Sequence, residues 1–311
     1  MELAKTYSQV DGIFPYQWMF IFFGLFTVLF GISLWWILPD SPVTAPFLTE
    51  RERLIAVERL KSNKTGVKNS HHKPGQVKEA FCDPKVWMLV FAIFWHNMTN
   101  SLQSNFTGII IKGFGYTTYQ AVLLSIPPGM VQAITMLLAS IFLSTKWGEG
   151  KRIFTIIFCY IPGIISCVIL HTVPLKPSTR GAHLAAVFIV PMVAASAAVI
   201  YSLLASNIAG YTKKTVSGAM LFSAYCVANI VSPQTFLHSQ IPYYQTGIAV
   251  TLAAFCINIV LFCVLYVVYS RSNAQRDRDP AGAESDDATQ DLVDAFSDLT
   301  DRENKKLRYK L

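Results

Sequence analysis

Within an apolar stretch at residues 86–111, His96, Asn100, Gln103 and Thr107 recur at steps of four, three and four. On an α-helix that spacing lines them along one face, with Phe91, Ile93, Phe94, Met98 and Leu102 opposite. Unpaired polar groups are costly in hydrocarbon, so such a stripe has two readings. It either bonds across to neighbouring helices, as Asn and Gln do in bundles, or lines a wet cavity that holds a polar solute. His96 is correspondingly a proton carrier or a hydrogen-bonded helix contact. Tyr225, Asn229 and Ser232 repeat the theme further on, and Gln132 and Asn207 stand singly in other apolar stretches. Catalytic chemistry is not expected. No Asp or Glu lies inside an apolar stretch, and there is no phosphate-cradling glycine loop, metal cluster or nucleophile–base pair. The chain is thus expected to be no enzyme and to need no cofactor or metal. The adjacent His71 and His72 point apart and read as a solvated loop pair.

The elements that would carry these residues are seven apolar stretches, at roughly 18–38, 86–111, 119–143, 153–171, 182–206, 216–238 and 246–270. Crossing about 30 Å of hydrocarbon at 1.5 Å per residue takes about 20 such residues. Hydrophobic residues make up 52% of the chain and charged residues only 14%, and the charges fall in the gaps between stretches. An all-α integral membrane protein with seven transmembrane helices follows. Residues 1–17 are polar and lack a basic start, so the first apolar stretch has to act as the insertion signal. Six cysteines lie mostly inside the stretches without metal-ligand spacing and read as packing residues. Pro127-Pro128-Gly129, Pro162-Gly163, Pro191 and Pro233 fall within spans, where each proline kinks a helix.

Charge sets the orientation. The segment 39–85 holds nine Lys or Arg residues, and Lys146, Lys151, Arg152, Lys213 and Lys214 fall in later connections on the same side. Eight more follow Ser270, while the alternate connections hold few. By the positive-inside rule the N-terminus faces outside and the C-terminus the cytosol. The formal net charge of +7 is therefore a topology signal; nucleic acid is not an expected partner, because the basic residues do not gather on one face. Between the first two spans, Thr49 and Glu52 form a capping-box pattern opening a short amphipathic helix over 50–61. A flexible linker follows, and 271–311, poor in aromatics and rich in Asp, Glu, Arg and Ser, reads as a disordered cytosolic tail.

Several ordered motifs then resemble one family. Residues 20–60 contain Leu38-Pro39-Asp40-Ser41-Pro42, then Phe47-Leu48-Thr49 and Glu52-Arg53. With Asn207-Ile208-Ala209-Gly210-Tyr211-Thr212-Lys213-Lys214 and the run from Asp298 to Tyr309, they resemble fungal allantoate-permease-like carriers. These form the anion:cation symporter branch of the major facilitator superfamily. The match covers nearly the whole chain from Gln17. Pro39, Asp40, Ser41, Pro42, Asn207, Gly210, Lys213 and Lys214 are the motif positions, with a structural or gating role.

The resemblance implies twelve spans in two six-helix halves, of which this chain supplies spans six to twelve: span six at 18–38, the central loop at 39–85 and the six-helix C-terminal bundle at 86–270. Residues 1–17 do not match, which reads as a truncated product lacking the first five spans. The stripe from His96 to Thr107 then sits on a cavity-lining span, with Tyr225 and Asn229 on another. The implied function is secondary active transport of a small organic anion such as allantoate, nicotinate or pantothenate, driven by protons, in the fungal plasma membrane. The implied partners are the lipid bilayer, that anion and its coupling proton, and a missing N-terminal half or a full-length carrier. Alone, this chain is expected neither to couple a gradient nor to transport. The alternatives are a non-transporting or regulatory fragment and, remotely, a seven-helix receptor, which the absence of outer cysteine pairs opposes.

Overall fold

The computed structural model describes residues 15–39, 45–61, 72–113, 115–174, 176–240, 244–278 and 298–311. They fall into two compact units, 1–63 and 64–311. The motif residues Asp40, Ser41 and Pro42, His71 and residues 1–14 lie outside the described residues.

The first unit contains α1 (Pro15–Ile37) and α2 (Glu50–Lys61). Helix α1 is apolar on every side; Phe20 is 77% and Trp35 86% exposed within the unit, the surface of a helix made for lipid or for other helices. Its hydroxyls turn inward. Thr27 donates to the Phe23 carbonyl and Ser33 to that of Phe30, so neither hydroxyl is left unpaired toward hydrocarbon. At the start of α2 the Thr49 N–H donates to Glu52 (2.9 Å) and the Glu52 N–H to the Thr49 hydroxyl (3.4 Å). This reciprocal cap satisfies two of the first turn's free donors.

The second unit is a helical bundle: α3 (Pro74–Cys82), α4 (Pro84–Asn97), α5 (Thr107–Gly113), α6 (Thr118–Leu123), α7 (Ile126–Ser144), α8 (Arg152–Thr172), α9 (Arg180–Ile189), α10 (Ala194–Asn207), α11 (Tyr211–Val231) and α12 (Gln245–Arg278). Helix α8 packs on α9, α10 and α12, and α4 packs on α11 and α12. Tyr160, Phe255, Phe262 and Tyr269 are its largest buried aromatics. Gly163 lets α8 approach its neighbours: a Cβ there would lie 2.5 Å from Val193 and 2.9 Å from the Phe255 ring. Among the described residues six helical runs, counting α1, are long and apolar enough to cross a membrane.

The expected span at 86–111 is interrupted. Helix α4 stops at Asn97, Met98 and Thr99 form a turn, and 102–106 is a π-helical turn leading into α5. A π turn loosens the 3.6-residue register, so the stripe beginning at His96 does not stay on one face. The expected proline kinks are also mostly breaks. Pro127 and Pro128 sit in the first turn of α7, where a missing N–H costs nothing. Pro191 and Pro233 fall in 3₁₀ turns, and Pro162 alone of these lies inside a helix.

The disordered tail expected over 271–311 needs correcting at both ends. Helix α12 has 34 residues, about 51 Å at 1.5 Å per residue, so its final turns extend past about 30 Å of hydrocarbon. Residues 298–311 then pack against the bundle, with Thr300, Asp301, Leu307 and Tyr309 buried. Composition misleads here because Asp298, Asp301 and Tyr309 find partners on the bundle while Thr300 and Glu303 pair with each other.

Candidate functional site

The structure divides the expected polar stripe between two environments. His96 is 7% exposed and points into the bundle. Its Nδ1 lies 3.0 Å from the Tyr160 hydroxyl on α8 and 3.2 Å from the Ser196 hydroxyl on α10, with Ser196 also donating to the Val193 carbonyl. Thr107 donates to the Leu102 carbonyl five residues back (2.8 Å), closing the π turn. With Gln103 it borders a narrow crevice walled by Leu170, Val187 and Pro191.

Asn100 turns the other way. Its Nδ2 donates to Oδ1 of Asn229 on α11 (2.7 Å), and the Asn229 amide donates to the Tyr225 carbonyl one turn earlier. Tyr225 is exposed and its ring stacks on Phe222, 5.8 Å away at 15°. Ser104, also exposed, donates to the Asn100 carbonyl. This patch of amide, hydroxyl and aromatic groups offers both donors and acceptors on otherwise apolar helices. Gln132 is exposed on α7.

At one end of the bundle lies a site that the sequence reading left undivided among motif positions. The Lys213 side chain is fully buried, its ammonium 2.9 Å from Glu79, 2.6 Å from Asp83 and 2.5 Å from Asp301. These three carboxylates have the mutual spacing of a metal site, but the Lys213 ammonium bonds to all of them and supplies the cation. The local chain explains the placement. Asp83 accepts from the Lys85 N–H at the start of α4. Gly210, at φ +87°, turns the chain into α11 in a conformation that favours glycine, and a Cβ there would press on the Gln76 amide. Burial alone would raise the Asp83 pKa; the hydrogen bond and charge of Lys213 outweigh it and hold the carboxyl below its usual range.

Residues 298–311 complete the site. Asp298 accepts from the Tyr211 N–H at the start of α11 (2.6 Å), where an acidic group suits the helix end. Tyr309 donates to Asp301 (2.8 Å) and stacks on Tyr269 at 4.9 Å. Burial, reinforced by the Asp301 charge, pushes its hydroxyl well above the usual phenol range. Asn207 pairs with the backbone of Lys310 in both directions, and Asn273 does the same with Tyr309. Arg276 donates to the carbonyls of Asp301 and Leu307. Lys214 is half-buried beside Lys213 on α11, and Pro39 follows α1 in the other unit.

A signal for this segment was present: Thr300-Asp301-Arg302-Glu303 is a capping-box pattern, and Thr300 and Glu303 do bond reciprocally. Overall acidity and low aromatic content hid it.

The sequence comparisons agree with this architecture. A family model of the Major Facilitator Superfamily matches residues 8–233, and the chain belongs to that superfamily. It is 35% identical over 258 residues to an uncharacterised transporter of Schizosaccharomyces pombe, covering 83% of this chain and 48% of that protein. It is 31% identical to a thiamine pathway transporter of Saccharomyces cerevisiae over 243 residues, 78% of this chain and 46% of the relative. Identity to the allantoate permease of the same yeast is 29% over 246 residues, 78% and 45%. The chain spans about half the length of the curated relatives it matches. It is a multi-pass membrane protein of a transporter family, similar to fungal carriers.

Proposed function

We propose that the bundle is one half of a proton-driven carrier for a small organic anion, with the amide patch formed by Asn100, just beyond α4, and Asn229 on α11 facing the solute. The observation that carries this reading is the Asn100–Asn229 pair, bridging two helices beside exposed Tyr225 and Phe222. Amide and hydroxyl groups on an apolar wall hold a polar solute without trapping it, as a carrier requires. Transport in this superfamily rocks one six-helix half against the other around a midplane site, so the activity belongs to a carrier in which a second half faces this patch. Gln103, Thr107 and Gln132 are further candidates for that wall. His96, enclosed by Tyr160 and Ser196, is assigned to helix contact. The Lys213 end, with the C-terminus, is assigned to the cytosol on the charge pattern, in the plasma membrane.

The test is uptake of labelled allantoate, nicotinate and pantothenate by fungal cells expressing the carrier, at acid and neutral external pH, with and without a protonophore. Saturable, acid-stimulated, protonophore-sensitive uptake of one of them is expected. Replacing Asn100 and Asn229 by Ala should raise KM at unchanged surface abundance. Uptake of none rejects the solute class; uptake indifferent to the protonophore rejects proton coupling.

A further inference from the structure

Beside the Lys213 cluster, but outside it, three distant stretches of chain converge on a second pocket of about 280 Å³. Lys85 comes from the first turn of α4, Arg276 from the end of α12, and Arg302 and Lys305 from the segment after residue 298. Ser272, Gln275 and the Tyr309 ring fill the remaining wall, and among the described residues no carboxylate lines it. The nearby Asp83, Asp301 and Glu79 all bond the Lys213 ammonium, and Asp301 also accepts from the Tyr309 hydroxyl. Arg302 reaches two of them only at 3.6 and 3.9 Å.

Four basic side chains border one small concavity, Arg302 and Lys305 exposed and Lys85 and Arg276 half-buried, and like charges so placed repel each other. The strain registers at Lys85. Burial pushes its pKa down to about 8; Asp301 and Asp83 oppose that, while the charges of Arg276 and Lys213 add to it. Its ammonium gives one hydrogen bond to the Tyr309 hydroxyl (2.6 Å), and an ammonium has three donors. Arg276 spends three of its five donors on the Asp301 and Leu307 carbonyls and the Tyr309 hydroxyl, which leaves two. Donors converging from several directions suit a tetrahedral oxyanion better than a planar carboxylate. The position adds a constraint: Ser272 and Arg276 follow directly on the last apolar residues of α12, at the depth where a span leaves hydrocarbon for the headgroup layer.

We propose that this pocket binds a phosphate monoester dianion, as carried by a phosphorylated inositol lipid headgroup or a soluble phosphate. Bound there, the anion ties residues 302–309 to the ends of α4 and α12. The site is separate from the amide patch, and its occupancy does not depend on which solute the carrier moves.

The full chain, purified in detergent and in phosphatidylcholine nanodiscs, is titrated with inorganic phosphate, with inositol trisphosphate, and by including phosphatidylinositol 4-phosphate in the discs. Binding and thermal unfolding are both followed. Saturable binding of at least one probe with a raised Tm is expected. The double variant Arg302→Gln/Lys305→Gln, altering two exposed side chains, should weaken it at least tenfold, while Arg302→Lys/Lys305→Arg retains it. The ligand-free Tm of each variant separates lost binding from lost folding. Response to the lipid alone supports a headgroup site, and response to the soluble anions supports a soluble one. Binding of none, or equal binding by the glutamine variant, overturns the proposal.

Discussion

The Nζ of Lys213 lies 2.5 Å from Oδ1 of Asp301, and neither side chain has any access to solvent. The pair joins the start of α11 to the segment beyond α12, with Glu79 and Asp83 as the ammonium's other acceptors. Removing one partner of a buried ion pair costs about 3–5 kcal/mol, because the remaining charge is left uncompensated. Lys213→Met should therefore lower the unfolding temperature sharply, since it strands three carboxylates together. Asp301→Asn should cost less, because two acids remain on the lysine. Scanning fluorimetry in detergent decides the order, and equal losses would contradict the shared geometry.

Asn207 and Asn273 hold the backbone of the same segment with two hydrogen bonds each. At about 1 kcal/mol net per bond, Asn207→Ala or Asn273→Ala should loosen residues 298–311 without unfolding the bundle. Faster amide exchange or proteolysis confined to that segment is the expected reading.

Acid should act on this end through Asp83. Its folded pKa is held below the ordinary value of 3.8, so its contribution is present above the unfolded value and lost as pH falls through the folded one. Lys85 has the opposite dependence. Lowered from 10.5 to about 8, it binds its proton less well folded than unfolded, so its contribution to stability rises with pH between about 8 and 10.5. Lys85→Met should remove that alkaline rise and leave the acid limb unchanged in a pH series of melting curves.

A methyl group at Gly163 would meet Val193 and Phe255 well inside contact distance. Overpacking of this kind costs about 1–3 kcal/mol. Gly163→Ala should lower Tm by a few degrees, whereas Gly181→Ala, which meets nothing within 4 Å, should not.

The class of the protein was legible because runs of apolar residues and segregated charges register span by span. The family was legible at Asn207–Lys214 and Asp298–Tyr309, where residue order is specific. What escaped was pairing. Spacing placed His96 and Asn100 on one face, but a turn and a π turn turned His96 toward Tyr160 and Asn100 toward Asn229. The tail escaped for a related reason: Asp301 reads as a solvated acid until Lys213 is found beside it, and no local pattern joins residues 88 positions apart.

That separation bears on how the protein is made. Lys213 emerges during synthesis well before Asp301, with α12 still to be inserted between them. Until then the ammonium rests on Glu79 and Asp83 alone, and Tyr269 lacks its stacking partner. Docking of residues 298–311 thus follows the insertion of α12. An insertion fault in α12 would leave Lys213 without Asp301, an unfinished charged end open to the cell's quality-control machinery.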